Sequence, residues 1–263
     1  DPAEAGRIAE GFYGTERAWL GERGLELWGQ LGGPWNRCVP FFAAADQLKF
    51  YSFADVPEGE FWSKWFGDNH GGSYHVRGVV SAAHVYGRPI VQAEAFTHMT
   101  RHWSKDPAQL KRSAVEAFAD GVNRLVFHQW TCRDEAWGLP GSEYFAGTHF
   151  NGAATWSAHL KDFVAFVTRC QRLLQLGEPV VDIAIYAGPR PYQGGIGQGR
   201  LRYDPFGDGR VTVPRGYNYD VVNDDFLAGR AKGCGYACVV RADGTNRVDV
   251  AKAAGLPPPD CEG

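Results

Sequence analysis

The chain has 263 residues, of which 44% are hydrophobic and 22% charged, and its formal net charge is −3. This length and composition provide for a sizeable core, in one large domain or two modest ones. The small charge and the lack of a basic patch argue against a nucleic-acid partner, and the lack of a long apolar run argues against a membrane-spanning segment.

Helix and strand patterns alternate along the first 187 residues. Helical periodicity and capping residues predict four helices, over residues 3–24, 73–86, 107–120 and 151–177. Short apolar runs predict four buried strands, over residues 25–31, 90–93, 123–130 and 180–186. Residues 50–62 read as an aromatic-rich loop. The alternation predicts an α/β fold with a parallel sheet, either half of an eight-stranded barrel or most of a small doubly wound sheet.

The chain changes character after residue 187. Glycine and proline are frequent over 188–214, which is typical of a linker or an extended loop. Ordered patterns resume at Gly216. We therefore expect a first domain over 1–190, a linker over 191–215, and the start of an incomplete second domain over 216–263.

Glu94 directly follows the predicted strand 90–93, where α/β barrels place their catalytic groups. Asp55, Glu58 and Glu60 lie about one strand–helix unit earlier, in a loop that would face the same barrel mouth. Glycosidic bond cleavage uses two carboxyl groups across the scissile bond. The nine Trp residues favour a carbohydrate site weakly. A salt bridge at Glu94 and solvated loop charges elsewhere are the alternative reading.

The histidines allow a different chemistry. His98 and His102 have the i, i+4 spacing of a metal pair on a helix, without an evident third ligand. His128 ends a predicted strand and His149 lies in the loop after it, where each could hydrogen-bond a sugar hydroxyl or a carboxylate. A metal-dependent hydrolase that uses the histidines therefore stays open as an alternative, whereas the lack of a Gly-x-Ser-x-Gly motif disfavours an esterase.

An ordered series of motifs extends over much of the chain. It comprises Asp55-Val-Pro-Glu58-Gly-Glu60-Phe-Trp62, Ser81-Ala-Ala-His84-Val-Tyr86-Gly, Gln92-Ala-Glu94-Ala-Phe96-Thr97, Gly121-Val-Asn123-Arg-Leu-Val-Phe127-His128-Gln129, Gly147-Thr148-His149-Phe150-Asn151 and Pro214-Arg-Gly216-Tyr217-Asn-Tyr219-Asp220. Each motif is weak alone, but in this order they resemble glycoside hydrolase family 106, the α-L-rhamnosidases.

The resemblance implies a (β/α)8 barrel, hydrolysis of terminal α-L-rhamnosides with inversion, and a calcium ion near the sugar. It makes Glu94 the candidate general base and places Glu60 in the catalytic site as a sugar or calcium contact. Glu60 and Glu94 are the candidate metal ligands, because calcium prefers several oxygen donors. The other candidate contacts to a rhamnose-containing carbohydrate are Asp55, Glu58, Trp62, His128 and His149.

The sequence also departs from the family pattern. It has no Asp-Ser-Tyr-Glu motif, whose Glu is the expected general acid, and Gln30 stands where the family often shows Glu. We therefore expect the C-terminal half of a (β/α)8 TIM barrel, in a chain that is truncated upstream of Asp1 and inactive alone, with exposed sheet edges. A non-catalytic carbohydrate-binding remnant of the same fold is the remaining alternative.

Overall fold

The computed structural model describes residues 2–31, 46–63, 76–98, 102–132, 134–186, 188, 211–213, 216–242 and 248–255. Over these residues the chain is a mixed α/β structure built on parallel sheets, as the alternation of helices and strands predicts. None of the described helices has the length and apolar character that crossing a bilayer requires.

The described residues form eight α-helices. These are α1 (Pro2–Ala9), α2 (Thr15–Gly21), α3 (Gln47–Tyr51), α4 (Arg77–Val85), α5 (Pro107–Ala119), α6 (Leu160–Leu174), α7 (Asp224–Leu227) and α8 (Val250–Ala254). A π-helical turn, Glu10–Gly14, separates α1 from α2 within the predicted helix 3–24. Helix α5 begins at a capping box, in which the Asp106 side chain accepts from Gln109 N and the Gln109 side chain accepts from Asp106 N.

Nine strands are described. These are β1 (Trp28–Gly29), β2 (Val56–Trp62), β3 (Gln92–Thr97), β4 (Arg124–Phe127), β5 (Ile183–Tyr186), β6 (Val211–Thr212), β7 (Tyr219–Val222), β8 (Cys238–Arg241) and β9 (Val248–Asp249). The first four form one sheet in the order β1-β2-β3-β4, and all three pairs are parallel.

Strand β2 corrects the prediction that residues 50–62 form a loop. Proline, glycine and glutamate are depleted in strands, and β2 contains Pro57, Gly59, Glu58 and Glu60. Because of these residues, composition alone does not predict a strand here. In the structure β2 pairs with β1 on one side and β3 on the other, so it lies inside the sheet.

One face of this sheet is covered by helices and aromatic side chains. The rings of Phe61 and Phe96 meet edge to face, with centroids 5.2 Å apart. The Phe96 ring also lies 5.3 Å from that of Phe127 and 5.7 Å from that of Phe163 in α6. Such pairs contribute about 0.5–1.5 kcal/mol each beyond area burial, and together they fix β2, β3 and β4 against the helices.

The other face of the sheet is concave and polar. Side chains alternate along a strand, so Glu58, Glu60 and Glu94 all project from this second face. The Arg124 guanidinium of β4 lies 5.1 Å from the Trp28 ring of β1, although two strands separate β1 from β4. Trp28 remains 50% exposed, so the described residues cover this face only in part.

Strand β5 joins a different sheet from the one predicted. The sequence pattern predicts residues 180–186 as the last of four strands in a single sheet. In the structure β5 is the centre of a parallel three-stranded sheet of order β7-β5-β8, and the fourth strand of the first sheet is β4. The prediction was wrong because strand periodicity does not reveal which strands are paired.

Residues 216–242 pack with the first part of the chain. Strands β7 and β8 flank β5, and α4 packs against β7. Val221 N donates to Ser81 Oγ at 3.0 Å, and Arg77 Nη1 donates to the Tyr219 carbonyl at 3.0 Å. Residues 216–242 therefore contact the first part of the chain directly, and the predicted domain boundaries stay a prediction. Most of the predicted linker 191–215 lies outside the described residues, and its described Val211–Thr212 forms β6, which pairs with β9.

Candidate active site

Carboxylates from two neighbouring strands meet on the concave face of the first sheet. Glu60 of β2 is the register partner of Glu94 of β3, and Glu58 is the partner of Gln92. Register partners on adjacent parallel strands project to the same face, with backbones about 4.8 Å apart. The structure thus brings together Glu58, Glu60 and Glu94.

The two paired glutamates have different environments. Glu60 is 2% exposed, and its Oε1 accepts a hydrogen bond of 2.8 Å from Trp62 Nε1, two residues further along the same face. The Glu94 side chain is 23% exposed. A buried carboxylate held by an indole therefore lies beside a carboxylate that solvent or a substrate can reach.

Gln30 links two of the carboxylates. Its Nε2 donates to Glu94 Oε2 at 3.0 Å and to Glu58 Oε1 at 3.3 Å. The second oxygen of Glu58 accepts from Gln92 Nε2. Hydrogen bonds to charged groups contribute about 1.5–3 kcal/mol each, so this amide can fix the orientation of the Glu94 carboxylate.

A strained backbone turns Thr97 toward Glu94. Phe96 has a φ of +73°, a left-handed conformation that costs a non-glycine residue about 1–3 kcal/mol. Thr148 Oγ1 donates to the Phe96 carbonyl at 2.9 Å and helps to hold this conformation. With the backbone turned in this way, Thr97 Oγ1 donates to Glu94 Oε1. Both oxygens of Glu94 therefore accept a hydrogen bond.

His128 lies at the end of β4, next to Glu94. Its Nε2 is 3.9 Å from Glu94 Oε1. Its Nδ1 is buried and has no hydrogen-bond partner among the described residues. Gly147 packs against this ring with a φ of +113°, and a Cβ at this position would lie 2.4 Å from His128 Nδ1. The ring position therefore depends on the absence of a side chain at Gly147.

Asp55 does not join this site. It immediately precedes β2, at the opposite end of the strand from Trp62. Its carboxylate accepts from Arg17 Nη2 at 2.6 Å and from Leu27 N at 3.0 Å. Asp55 is predicted beside the glutamates because residues 50–62 read as one compact loop. In an extended strand Asp55 is carried away from them, where it links α2 to the start of β1.

His149 belongs to a second cluster. Its Nε2 lies 2.8 Å from His102 Nδ1, its Nδ1 lies 3.3 Å from Thr131 Oγ1, and its ring centroid is 4.4 Å from that of Trp103. Glu143 Oε1 lies 4.0 Å from His102 Nδ1 and accepts from Trp103 Nε1. Burial, followed by the charge of His102, lowers the pKa of His149.

His98 and His102, whose spacing is that of a metal pair on a helix, do not form such a pair. Neither residue lies on a helix, and His98 Nε2 lies 3.3 Å from Ser104 Oγ instead. Burial, followed by the charge of Lys105, lowers the pKa of His98 to about 4. The imidazole that accompanies His102 is that of His149, which is distant in sequence.

Three members of the site were missed by sequence reasoning. Gln92 and Thr97 stand in the same motif as Glu94, and strand alternation could have placed Gln92 on the face of Glu94. The signal for Gln30 was weaker, because 64 residues separate it from Glu94 and only its departure from the family pattern marked it.

The fit of calcium to Glu60 and Glu94 is incomplete. Calcium takes six to eight oxygen ligands, and carboxylates are suitable donors. Among the described residues, however, the groups of three possible ligand side chains include neither glutamate. Both oxygens of Glu94 also already accept hydrogen bonds. The calcium site therefore stays a prediction.

Comparison with known proteins relates the chain to one family and to two longer proteins. The glycoside hydrolase 106 family, described as alpha-L-rhamnosidase, matches residues 4–247. A protein of Formosa agariphila named "Putative beta-glucuronidase" is 31% identical over 200 residues. The solved structure of a rhamnosidase from Novosphingobium sp. PP1Y is 26% identical and covers 89% of this chain with a TM-score of 0.71.

The two relatives are much longer than this chain. The aligned part is 70% of this chain but only 17% of the Formosa protein, and the chain covers 22% of the Novosphingobium structure. The family match confirms the resemblance that the ordered motifs predict.

Proposed function

Because the chain belongs to the α-L-rhamnosidase family, glycoside hydrolase family 106, we propose that it carries part of the active site of an enzyme that hydrolyses terminal α-L-rhamnosidic bonds. The observation that carries the proposal is the in-register pair of Glu60 and Glu94 on a concave, polar sheet face. The substrate in this proposal is a rhamnose-containing glycan or glycoside.

Glu94 is the proposed general base. Its side chain is the more exposed of the pair, and its two oxygens accept hydrogen bonds from Gln30 and Thr97. A positioned carboxylate can accept a proton from a water molecule that attacks the anomeric carbon on the face opposite the leaving group. His128, whose Nε2 is 3.9 Å from Glu94, is proposed to contact the sugar beside that water.

Glu60 is proposed to bind the substrate rather than to donate the catalytic proton. Its strand lies about 4.8 Å from that of Glu94, whereas the two carboxyl groups of an inverting enzyme are about 6.5–9.5 Å apart to leave room for water. Trp62 and Glu58 flank Glu60 on the same face and complete the proposed sugar-binding surface. The prediction that the general acid lies outside this chain is kept. Inversion of the anomeric configuration is also part of the proposal.

The concave sheet supports a partial (β/α)8 barrel. Four parallel strands in sequential order, with helices on the convex face, are the arrangement that such a barrel repeats. In this proposal the part-exposed Trp28 and Val126 face the barrel interior, and further strands of the full-length protein cover them. Strand β5 and its two partners lie outside that sheet.

The proposal is tested with the full-length protein and 4-nitrophenyl α-L-rhamnoside. We expect turnover, with NMR detection of the first-formed sugar anomer showing inversion. The matching β-glucuronide is the control substrate, because one relative carries that name. Rhamnose binding without turnover would favour the carbohydrate-binding remnant instead. Turnover that requires zinc and persists in Glu94→Gln would favour the metal-dependent hydrolase.

A further inference from the structure

We propose that His102, Glu143 and His149 bind a divalent transition-metal ion of the zinc type. Their nearest ligand atoms, two imidazole nitrogens and one carboxylate oxygen, all lie within 4.8 Å of one another. Zinc is bound by this donor set in sites with three protein ligands and one open position. The inference does not depend on the proposed rhamnosidase activity.

The distances between the three ligand atoms would suit a tetrahedral zinc ion after a small movement of the side chains. Zinc–nitrogen bonds of about 2.0–2.1 Å and a tetrahedral angle place ligand atoms about 3.3 Å apart. The observed separations are 2.8 Å between His102 Nδ1 and His149 Nε2 and 4.0 Å between His102 Nδ1 and Glu143 Oε1. The side chains of His102 and Glu143 are 38% and 36% exposed, so both can turn to equalise these distances.

Two surrounding groups orient the ligands. Thr131 Oγ1 lies 3.3 Å from His149 Nδ1, so this nitrogen can donate to the hydroxyl while Nε2 faces the metal position. Trp103 Nε1 donates to Glu143 Oε1 and holds the carboxylate near the two imidazoles. Histidines that bind metals almost always donate through their other ring nitrogen to such a partner. The cluster therefore has outer contacts as well as ligands.

The proposed metal would join two loops beside the candidate active site. His102 lies in the loop after β3, and Glu143 and His149 lie in the loop after β4. The second loop also contains Gly147, which packs against His128 and donates from its backbone nitrogen to the His98 carbonyl at 2.7 Å. Metal binding should therefore stiffen the segment that supports His128.

A second group of possible ligands serves as the comparison. His84, Asp220 and Cys234 also come within 4.8 Å of one another. His84 Nδ1, however, already lies 2.9 and 3.1 Å from the two oxygens of Asp220, and Tyr236 OH donates to the same carboxylate at 2.9 Å. This buried pair is satisfied within the core, so we expect no metal there.

The test is cobalt(II) and zinc binding to the tag-free protein, followed by visible d–d absorption and calorimetry. We expect one equivalent to bind the wild type and to raise its thermal midpoint. His102→Ala and Glu143→Gln change exposed side chains and should abolish binding without unfolding the chain. Thr131→Val should weaken binding by about tenfold or more, because it removes an outer contact.

The controls are His159→Ala, an exposed histidine outside the cluster, and Cys234→Ser, which alters the comparison group. Both should bind cobalt as the wild type does. Absence of binding to the wild type would overturn the proposal. The proposal would also be overturned if His102→Ala and Glu143→Gln both bound cobalt with wild-type affinity. A loss of cobalt binding in Cys234→Ser would overturn it as well.

Discussion

Glu60 and Glu94 are register partners on adjacent parallel strands, but the Glu60 side chain is buried and the Glu94 side chain is partly exposed. Two ionised carboxylates on adjacent strands repel each other, and hydrogen bonds donated to each of them offset this repulsion. Trp62 supplies a donor to Glu60, and Gln30 and Thr97 supply donors to Glu94. This division of partners fits the proposed roles, in which Glu60 binds the sugar and Glu94 acts as the general base.

Replacing Gln30 with Met should lower kcat of the full-length protein. The substitution keeps the length of the side chain but removes the amide donor to Glu94 and Glu58. A lost hydrogen bond to a charged group costs about 1.5–3 kcal/mol, which corresponds to a decrease of roughly tenfold to a hundredfold. Steady-state kinetics with separate kcat and KM values measures the effect.

The matched control is Gln175→Met. Gln175 Nε2 donates to the Asn123 carbonyl at 2.7 Å on the helix-covered side of the sheet. This variant should lose stability and keep kcat. Equal kcat values for Gln30→Met and wild type would show that the amide does not position Glu94.

Gly147→Ala should displace His128 and reduce both stability and activity. The new Cβ would lie 2.4 Å from His128 Nδ1, and the φ of +113° disfavours any residue except glycine. We expect a loss of about 1–3 kcal/mol, the cost of such backbone strain, and a lower kcat in the full-length protein. Gly152→Ala is the control, since a Cβ there meets no atom within 4 Å. Identical thermal midpoints for Gly147→Ala and wild type would refute the steric argument.

His98 should make the chain less stable in acid. Burial lowers its pKa from 6.5 to about 4 in the folded state. Between these two pH values the unfolded chain binds more protons than the folded chain, so the free energy of unfolding decreases as the pH falls through this window. The largest effect of this group is on the order of 3 kcal/mol.

His98→Asn isolates this contribution. The amide can still hydrogen-bond near Ser104 but does not titrate, so its unfolding midpoint in urea should depend less on pH between 6.5 and 4. His159→Asn, at an exposed position, should retain the pH dependence of the wild type. An unchanged slope in His98→Asn would mean that other groups cause the acid sensitivity.

The sequence was sufficient to place Glu94 near a strand, but not to find Gln30 and Thr97, which hydrogen-bond to it. The predicted strand 90–93 ends before Glu94, whereas β3 extends over Gln92–Thr97 and contains it, so the apolar run indicated a strand but not its end. Strand β2 was missed because tertiary pairing overrides the low strand propensity of Pro57 and Gly59. The contact between Gln30 and Glu94 depends on the register of three strands, and no local pattern encodes that register.

The strand pairing of the second sheet could not be predicted from the sequence either. Val180 to Tyr186 reads as a buried strand, and β5 is one. Its partners, however, follow it in the chain, in the segment predicted to be another domain. The cluster of His102 and His149 was missed for a related reason, since the spacing rule considered only neighbours along a helix.

The most direct test of the proposed role of Glu94 is the hydrolysis of 4-nitrophenyl α-L-rhamnoside by the full-length Glu94→Gln variant. The amide keeps the shape of the side chain but cannot act as a base, so kcat should fall by about 10²–10⁴-fold with an unchanged circular dichroism spectrum. Glu116→Gln, at an exposed position on α5, should keep the wild-type rate. A wild-type kcat in Glu94→Gln would contradict the account.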